Sequence, residues 1–352
     1  MKVYTKLNLH AGYYNVHVAV GHEWKTAFRT HYGSFEFLVI PMGLTNTPAK
    51  FHAFMNHIFQ DMTDIFVVIY LDDMLIFSLS LIFSDSLEAH WVHVQCILEC
   101  LCEYDLHSKP EKCLFHTQKI EYLGFMVTPT GISMDMAKTD AVSVWPTPTN
   151  LKAVQAFLGF ANFYCQFIMG FSDIVIPLIH LTCKDTLFTW GPDHTQAFET
   201  LNTAFTQAPI LVHFNPDNPI VVETDASDYV ITAIISQISP NDGDIHLIAF
   251  YSHSMQPVEL NYKIYDKELL AIFEAFQQWH NYLEGSAHVV LVISDHKNLK
   301  YFMTTEQLTH HQVHWSEYLS GFNYLICCHA GWLGTKPDAL THHKDVYPHC
   351  YE

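Results

Sequence analysis

With 352 residues and 49% apolar content, the chain has material for two or three domains with buried cores, and the composition excludes a long disordered tail. Its net charge is −19 and its charged share 15%, against about 25% in an ordinary soluble domain, which runs counter to the basic surface expected of a phosphate-gripping protein. The opening MKVYTKLNLH lacks the apolar run of a secretory leader, and nine cysteines without disulfide-framework spacing read as reduced thiols of an intracellular, cytoplasmic or nuclear protein.

Residues 1–135 alternate short β-type runs with helical ones. Phe35 to Ile40 and Phe66 to Phe77 are expected to form strands. Ala49 to Met62 is expected to be helical, with Phe51, Phe54, Met55 and Ile58 on one stripe. Ile65 to Phe83 is apolar and nearly long enough to cross a bilayer, yet Asp72 and Asp73 lie at its middle. Each would cost about 2.5–3.5 kcal/mol there, and the β-branched and aromatic residues around them favour strands, so no membrane span is expected. A tandem echo, LIFSLS then LIFSDS, covers Leu75 to Ser86, and Thr128 to Gly131 marks a turn.

Residues 136–190 read as helical. Leu151 to Phe167 places Val154, Phe157, Leu158, Phe160 and Ala161 on a common face, with Asn150 or Thr149 as its cap. From Pro219 the pattern changes to three strands, Ile220 to Glu223, Val230 to Gln237 and His246 to Ser252. A long helix follows, Tyr265 to Tyr282, with Leu269, Ile272, Phe273, Phe276 and Trp279 at helical spacing. A strand (Val289 to Ser294), two helical stretches and a last strand (Tyr324 to Cys328) complete a mixed α/β pattern.

Two sets of acids carry chemistry. Tyr70-Leu71-Asp72-Asp73 puts adjacent carboxylates at a hairpin tip, where they repel unless a cation such as Mg²⁺ neutralises them. The tetrapeptide alone fits a solvated Asp-Asp turn equally well. In the second half, Asp225 and Asp295 end strands, Glu268 lies early in the long helix and Asp338 opens a helical stretch in KPDAL. Any one of these has an ordinary turn or capping explanation. Four in this order point to a shared pair of metal ions. Cys96, Cys100, Cys102, Cys113 and His116 do not have the paired spacing of a zinc site.

YTKLNLHAGYYNVHV, the stretch from Trp24 to Phe51, VVIYLDDMLIFS, KCLFHTQKIEYLGFMVTPTGI and LKAVQAFLGFANFY stand in the order found in gypsy-type (Metaviridae) LTR retrotransposon Pol polyproteins. VETDASDYVITAIISQ, LNYKIYDKELLAIFEAF, VISDHKNLKYF and TKPDAL similarly resemble the RNase H region of that family. The resemblance covers nearly the whole chain. It implies an α/β (α+β) fold: a right-hand polymerase palm with partial fingers (1–135), thumb and connection (136–215), an RNase H-like mixed-sheet domain (216–343) and a tail (344–352).

By the same resemblance Asp72 and Asp73 would bind two catalytic magnesium (or manganese) ions. Tyr13 would be a steric gate; Pro41, Gly43 and Asn46 would line the nucleotide and template path, and Lys25 and Arg29 would reach phosphates. Asp225, Glu268, Asp295 and Asp338 would be the RNase H metal quartet. RNA template, DNA primer, RNA–DNA hybrid, deoxynucleoside triphosphates and the rest of the Pol polyprotein would be the partners.

Departures from the family pattern lead us to expect a truncated and decayed copy without polymerase activity. The first catalytic aspartate falls on Asn8, the early fingers are expected to be missing, and the LIFSLS echo looks like an insertion behind the hairpin. Arg29 is the only arginine beside 25 histidines. His, Cys and Trp at His280, His311, His314, Cys327 and Trp332 stand where the family carries arginine, as cytosine deamination of arginine codons would leave them. The rival readings are a catalytically silent relic, a co-opted nucleic-acid-binding protein, and a nuclease whose N-terminal half is scaffold.

Overall fold

The computed structural model describes residues 2–79, 86–184, 186–240, 242–295, 299 and 309–328. The chain divides into two compact units, Met1–Pro129 and Thr130–Glu352.

In the first unit the elements are β1 (Lys2–Asn8), β2 (Phe28–Thr30), β3 (Gly33–Phe35), α1 (Thr47–Ile58), β4 (Val67–Tyr70), β5 (Asp73–Leu79), α2 (Ser86–Glu103), β6 (Leu114–Thr117), β7 (Ile120–Tyr122) and β8 (Phe125–Thr128). Four of the strands form a sheet in the order β4-β5-β1-β6. β5 runs antiparallel to both neighbours, so that Tyr70 faces Asp73 across the hairpin and Asn8 faces Asp73 across the β1–β5 ladder. Leu7, Val67, Ile69, Met74 and Ile76 from the sheet pack with Phe51, Met55, Val94 and Ile97 from the two helices, all buried. The stripe expected on α1 is thus real, with Phe51 and Met55 at its centre.

The apolar run over Phe35 to Ile40 is not a strand. β3 ends at Phe35, and beyond it only Val39 forms a bridge, to His17. Its backbone contacts are scattered: Val18 N–H to the Leu38 carbonyl and Ile40 N–H to the Val16 carbonyl, both at 2.9 Å, and Phe37 N–H to Thr26 Oγ1 at 2.8 Å. Without a partner of matching length an apolar run cannot extend a ladder. No described helix is long and apolar enough to cross a membrane, and the candidate span is the β4–β5 hairpin, whose continuation over residues 80–85 lies outside the described residues. Most of the LIFSLS echo falls there too.

The second unit contains β9 (Gly131–Met134), α3 (Met136–Ser143), α4 (Leu151–Phe163), α5 (Phe171–His180), α6 (Pro192–Thr206), β10 (Ile220–Ala226), β11 (Val230–Ile238), β12 (Ile245–Ser254), α7 (Ile264–Gln278), α8 (His280–Leu283), β13 (Val290–Ser294), α9 (His310–Leu319) and β14 (Tyr324–Cys328). Ile132 and Leu211 exchange two backbone hydrogen bonds, at 2.7 and 2.9 Å. Gly131 is required beside them, because its φ is +157° and a Cβ would collide with the Leu211 carbonyl. Asn150 caps α4, accepting the Ala153 N–H at 3.0 Å. α5 is stitched to β12 by two serines: Ser172 N–H donates to Ser252 Oγ at 2.8 Å and Ser172 Oγ to the Ser252 carbonyl at 2.9 Å.

The large sheet has the order β12-β11-β10-β13-β14. Its first three strands are antiparallel, while β10–β13 and β13–β14 are parallel. Side chains alternate across a strand, so Ile220, Val222 and Ala226 share the face that packs on α7 with Val290, Val292 and Ile326. Leu269, Ile272, Phe273 and Phe276 of α7 close this core. Asp225 stands one residue before the end of β10.

Candidate metal centres

Three of the four acids expected in the second unit come together. Asp225, Glu268 and Asp295 each place a carboxylate oxygen within 4.8 Å of the others, and no other such group of three potential ligands occurs among the described residues. Parallel pairing of β10 with β13 brings the two strand ends side by side, and α7 lays Glu268 across them. Asp338 lies outside the described residues.

Glu268 is 2% exposed, whereas Asp225 and Asp295 reach solvent. Its Oε1 accepts the Ala226 N–H at 3.3 Å and its Oε2 the Ser294 hydroxyl at 3.3 Å. These two donors are not enough to hold the charge. Burial, then Asp295 and Asp225, raise the Glu268 carboxyl to about 8. Burial and Asp295 also raise Asp225, against the Ala226 N–H, which lowers it. Three oxygen donors that burden one another in this way fit a hard divalent cation, whose charge would relieve all three. Glu223, two residues before Asp225 on the same side of β10, is pushed up to about 7 by burial alone. Sequence reasoning missed it, and a charged residue in an otherwise apolar strand was the available signal.

In the first unit the acid pair sits on a two-residue turn, Leu71-Asp72, with Leu71 at φ +52°. A leucine in the left-handed region is strained, by about 1–2 kcal/mol, and the turn is held from outside. Leu9 N–H donates to the Asp72 carbonyl at 2.8 Å, and Tyr122 Oη lies 3.2 Å from the Asp73 carbonyl. Asp72 Oδ1 is buried without a hydrogen-bond partner. Burial and Asp73 raise the Asp72 carboxyl, while Lys109 and Lys112 draw it down. These two lysines were not singled out from the sequence; their spacing in the turn before β6 was the only hint.

Asn8 changes this centre. Its Nδ2–H donates to Asp73 Oδ1 at 2.7 Å, so an amide hydrogen already occupies one of the carboxylate oxygens that a cation would need. Two carboxylates and an amide turned nitrogen-first do not fit a two-ion clamp. The orphaned oxygen of Asp72 leaves at most a reduced site.

The remaining expected residues are spread over neighbouring segments. Tyr13 lies in a short 3-10 helix (Gly12–Asn15) with its ring 4.6 Å from that of Phe51. Burial, Asp72 and Tyr70 raise its hydroxyl, which places it beside the acid pair. Gly12 allows that fit, since a Cβ would come within 2.7 Å of the Phe51 ring. The Pro41 carbonyl accepts the Thr47 hydroxyl at 3.1 Å, Gly43 turns the chain at φ +98°, and Asn46 is the residue before α1. Lys25 lies 5.7 Å from the ring of Trp24, and Arg29 is exposed on β2.

Residues 1–127 match the family of reverse transcriptases (RNA-dependent DNA polymerases), and residues 190–291 match the RNase H-like domain found in reverse transcriptase. Two of the most similar curated proteins, the transposon Tf2-3 and Tf2-7 polyproteins of Schizosaccharomyces pombe, are each 34% identical over 341 residues. That alignment takes in 96% of this chain and 25% of each relative, so the chain spans about a quarter of their length. Among solved structures, the foamy viral protease-reverse transcriptase in complex with double-stranded DNA superposes with a TM-score of 0.77 at 22% identity, over 93% of this chain and 56% of that one. Its complex with an RNA/DNA hybrid gives 0.76 at 22% identity, over 99% and 46%. Together with the mixed sheets and helices described above, these matches assign the chain to the reverse transcriptase and RNase H-like region of Ty3/gypsy-type retrotransposon polyproteins.

Proposed function

We propose that this chain cleaves the RNA strand of RNA–DNA hybrids through Asp225, Glu268 and Asp295, with Asp338 as the fourth acid, and that its polymerase centre is silent. The convergence of three carboxylates within 4.8 Å carries this reading. Magnesium, or manganese, held by these acids would supply an activated water and charge stabilisation at the leaving oxygen. The protein's own part is to hold the acids. Glu268 is buried and fixed by Ala226 and Ser294, while Asp225 and Asp295 stay exposed at the strand ends to face a phosphate. Hybrid grip is expected to be weak and to fall as salt rises, because one arginine among 25 histidines leaves few bidentate phosphate contacts.

For polymerisation, the reading is that Asn8 withholds Asp73 from a metal and the RNA template, DNA primer and nucleoside triphosphates find no two-ion clamp. A Mg²⁺-dependent cleavage assay on a labelled hybrid tests the first half. Cleavage by the unmodified chain that falls more than about 100-fold in Asp295→Asn supports it, a ligand lost costing more than a group behind one. No cleavage with intact folding favours the second reading, a silent or nucleic-acid-binding relic, to which the −19 charge and single arginine lend weight. Primer extension tests the second half: robust incorporation by the unmodified chain would refute it.

A further inference from the structure

The first turns of α7 carry Asp266, Lys267 and Glu268 in succession, and all three are buried, at 5, 6 and 2% exposure. Ionised side chains are almost never buried unless paired. Successive helix residues point about 100° apart, so the three leave α7 in different directions and meet three different elements. Glu268 faces Ala226 and Ser294 at the acid trio. Lys267 Nζ donates to the Asp228 carbonyl at 2.9 Å, in the turn between β10 and β11 just past Asp225. Asp266 Oδ1 accepts from Gln312 Nε2 at 2.6 Å, with His311 Nε2 at 3.4 Å. Gln312 in turn accepts the Thr309 N–H at 2.9 Å and so ties down the start of α9.

A buried lysine bonded to a neutral carbonyl is a poor way to stabilise a fold, since an apolar side chain of similar volume does as well or better. What it does supply is a fixed distance between the helix that carries Glu268 and the turn that follows Asp225. We propose that Lys267 and Asp266 are positioning residues that brace the first turns of α7 from two sides, setting Glu268 at the spacing from Asp225 and Asp295 that a divalent ion requires. This rests on reading the trio as a metal centre.

The test uses the full chain with Asp72→Asn and Asp73→Asn, so that only the trio binds Mn²⁺, and reads Mn²⁺ affinity by paramagnetic resonance beside the metal-free melting midpoint. Lys267→Met is expected to melt at or above the midpoint of that background while Mn²⁺ affinity falls roughly 10–100-fold, as for other groups that orient metal ligands. Lys267→Arg, which keeps a donor for the Asp228 carbonyl, is expected to recover most of the affinity. Unchanged affinity in Lys267→Met overturns the brace alone. A joint loss of midpoint and affinity that arginine does not rescue shows a structural role only and also overturns it. A background chain that takes up no Mn²⁺ overturns the reading of the trio, and the brace with it.

Discussion

The molecule holds two clusters of acids, and they have settled their repulsion in opposite ways. In the first unit an amide has moved in: Asn8 donates to Asp73 at 2.7 Å, and Lys109 and Lys112 offset part of the burial and Asp73 charge that still raise Asp72. In the second unit the Ala226 N–H and the Ser294 hydroxyl offset only part of the trio's charge, and Glu268 rests at about 8. A cluster whose charge is partly offset from within, by a side-chain amide and two lysines, has less to offer a metal. A cluster left in debt to its own charge is the one poised to bind. The comparison therefore predicts where divalent ions act on this chain, and pH separates the two units before any nucleic acid is added.

The largest effect belongs to Glu268. A carboxyl raised on folding takes up a proton that the unfolded chain would release, so its contribution is whole below the ordinary glutamate value of 4.5 and is lost as pH rises through about 8. The metal-free second unit should accordingly weaken between those limits, by at most about 4–5 kcal/mol. Hydrogen exchange of α7 and β10 peptides in EDTA at pH 5 and pH 8 measures it. Glu268→Gln should reduce the slope to the part that Glu223 contributes, and saturating Mg²⁺ should restore protection at pH 8. Equal protection at both pH values in the unmodified chain would mean that the trio carries no such strain.

The first unit should respond with the opposite sign, through a group that the sequence did not expose. His90 on α2 is fully buried, its Nε2 2.8 Å from Thr5 Oγ1 and its Nδ1 2.9 Å from Ser78 Oγ. Ser78 also meets His93 Nδ1 at 2.7 Å, and the His116 ring lies 5.2 Å from that of His90. Burial, His116 and His93 hold His90 down at about 4, against 6.5 for an ordinary histidine. Folding therefore excludes a proton that the unfolded chain would bind. The contribution is whole above 6.5 and is lost as pH falls through 4, at most about 3 kcal/mol. Exchange protection of α2 and β5 peptides should drop between pH 6.5 and pH 4 and should keep most of its value in His90→Gln, which retains a donor and an acceptor.

Which parts of this were readable from the chain follows from the range of the interactions. The β4–β5 hairpin, the β10–β12 strands and α7 announce themselves through apolar periodicity, because each needs only its own residues to show which face is buried. The run at Phe35 to Ile40 has the same composition but no partner of equal length, and pairing is not a local property. Asp72 and Asp73 stood out as charges in an apolar run, and Asp225, Glu268 and Asp295 by their places at strand ends and early in the long helix. What completes the two centres did not, because the partners come from afar: Lys267 reaches Asp228 across 39 residues, Gln312 reaches Asp266 across 46, and His90 reaches Thr5 across 85. Two further histidines find their acids at different ranges: His280 lies 3.0 Å from Glu284 within one turn, and His311 lies 3.4 Å from Asp266 on another helix.

The smallest predicted effect bears most directly on the contrast between the clusters. Asn8→Asp removes the hydrogen bond to Asp73 and sets a third carboxylate against Asp72 and Asp73. A hydrogen bond to a charged group contributes about 1.5–3 kcal/mol, so in EDTA the first unit should lose roughly that much, read as faster exchange in β1 and β5. Mg²⁺ should return the loss in Asn8→Asp while leaving β1 and β5 of the unmodified chain unchanged, since Asn8 already does there what the ion would do. A gain in primer extension requires in addition a sound template path, so exchange is the cleaner reading. If Mg²⁺ protects β1 and β5 equally in both chains, Asp73 is free to take a metal despite its amide neighbour, and the two clusters do not differ in kind.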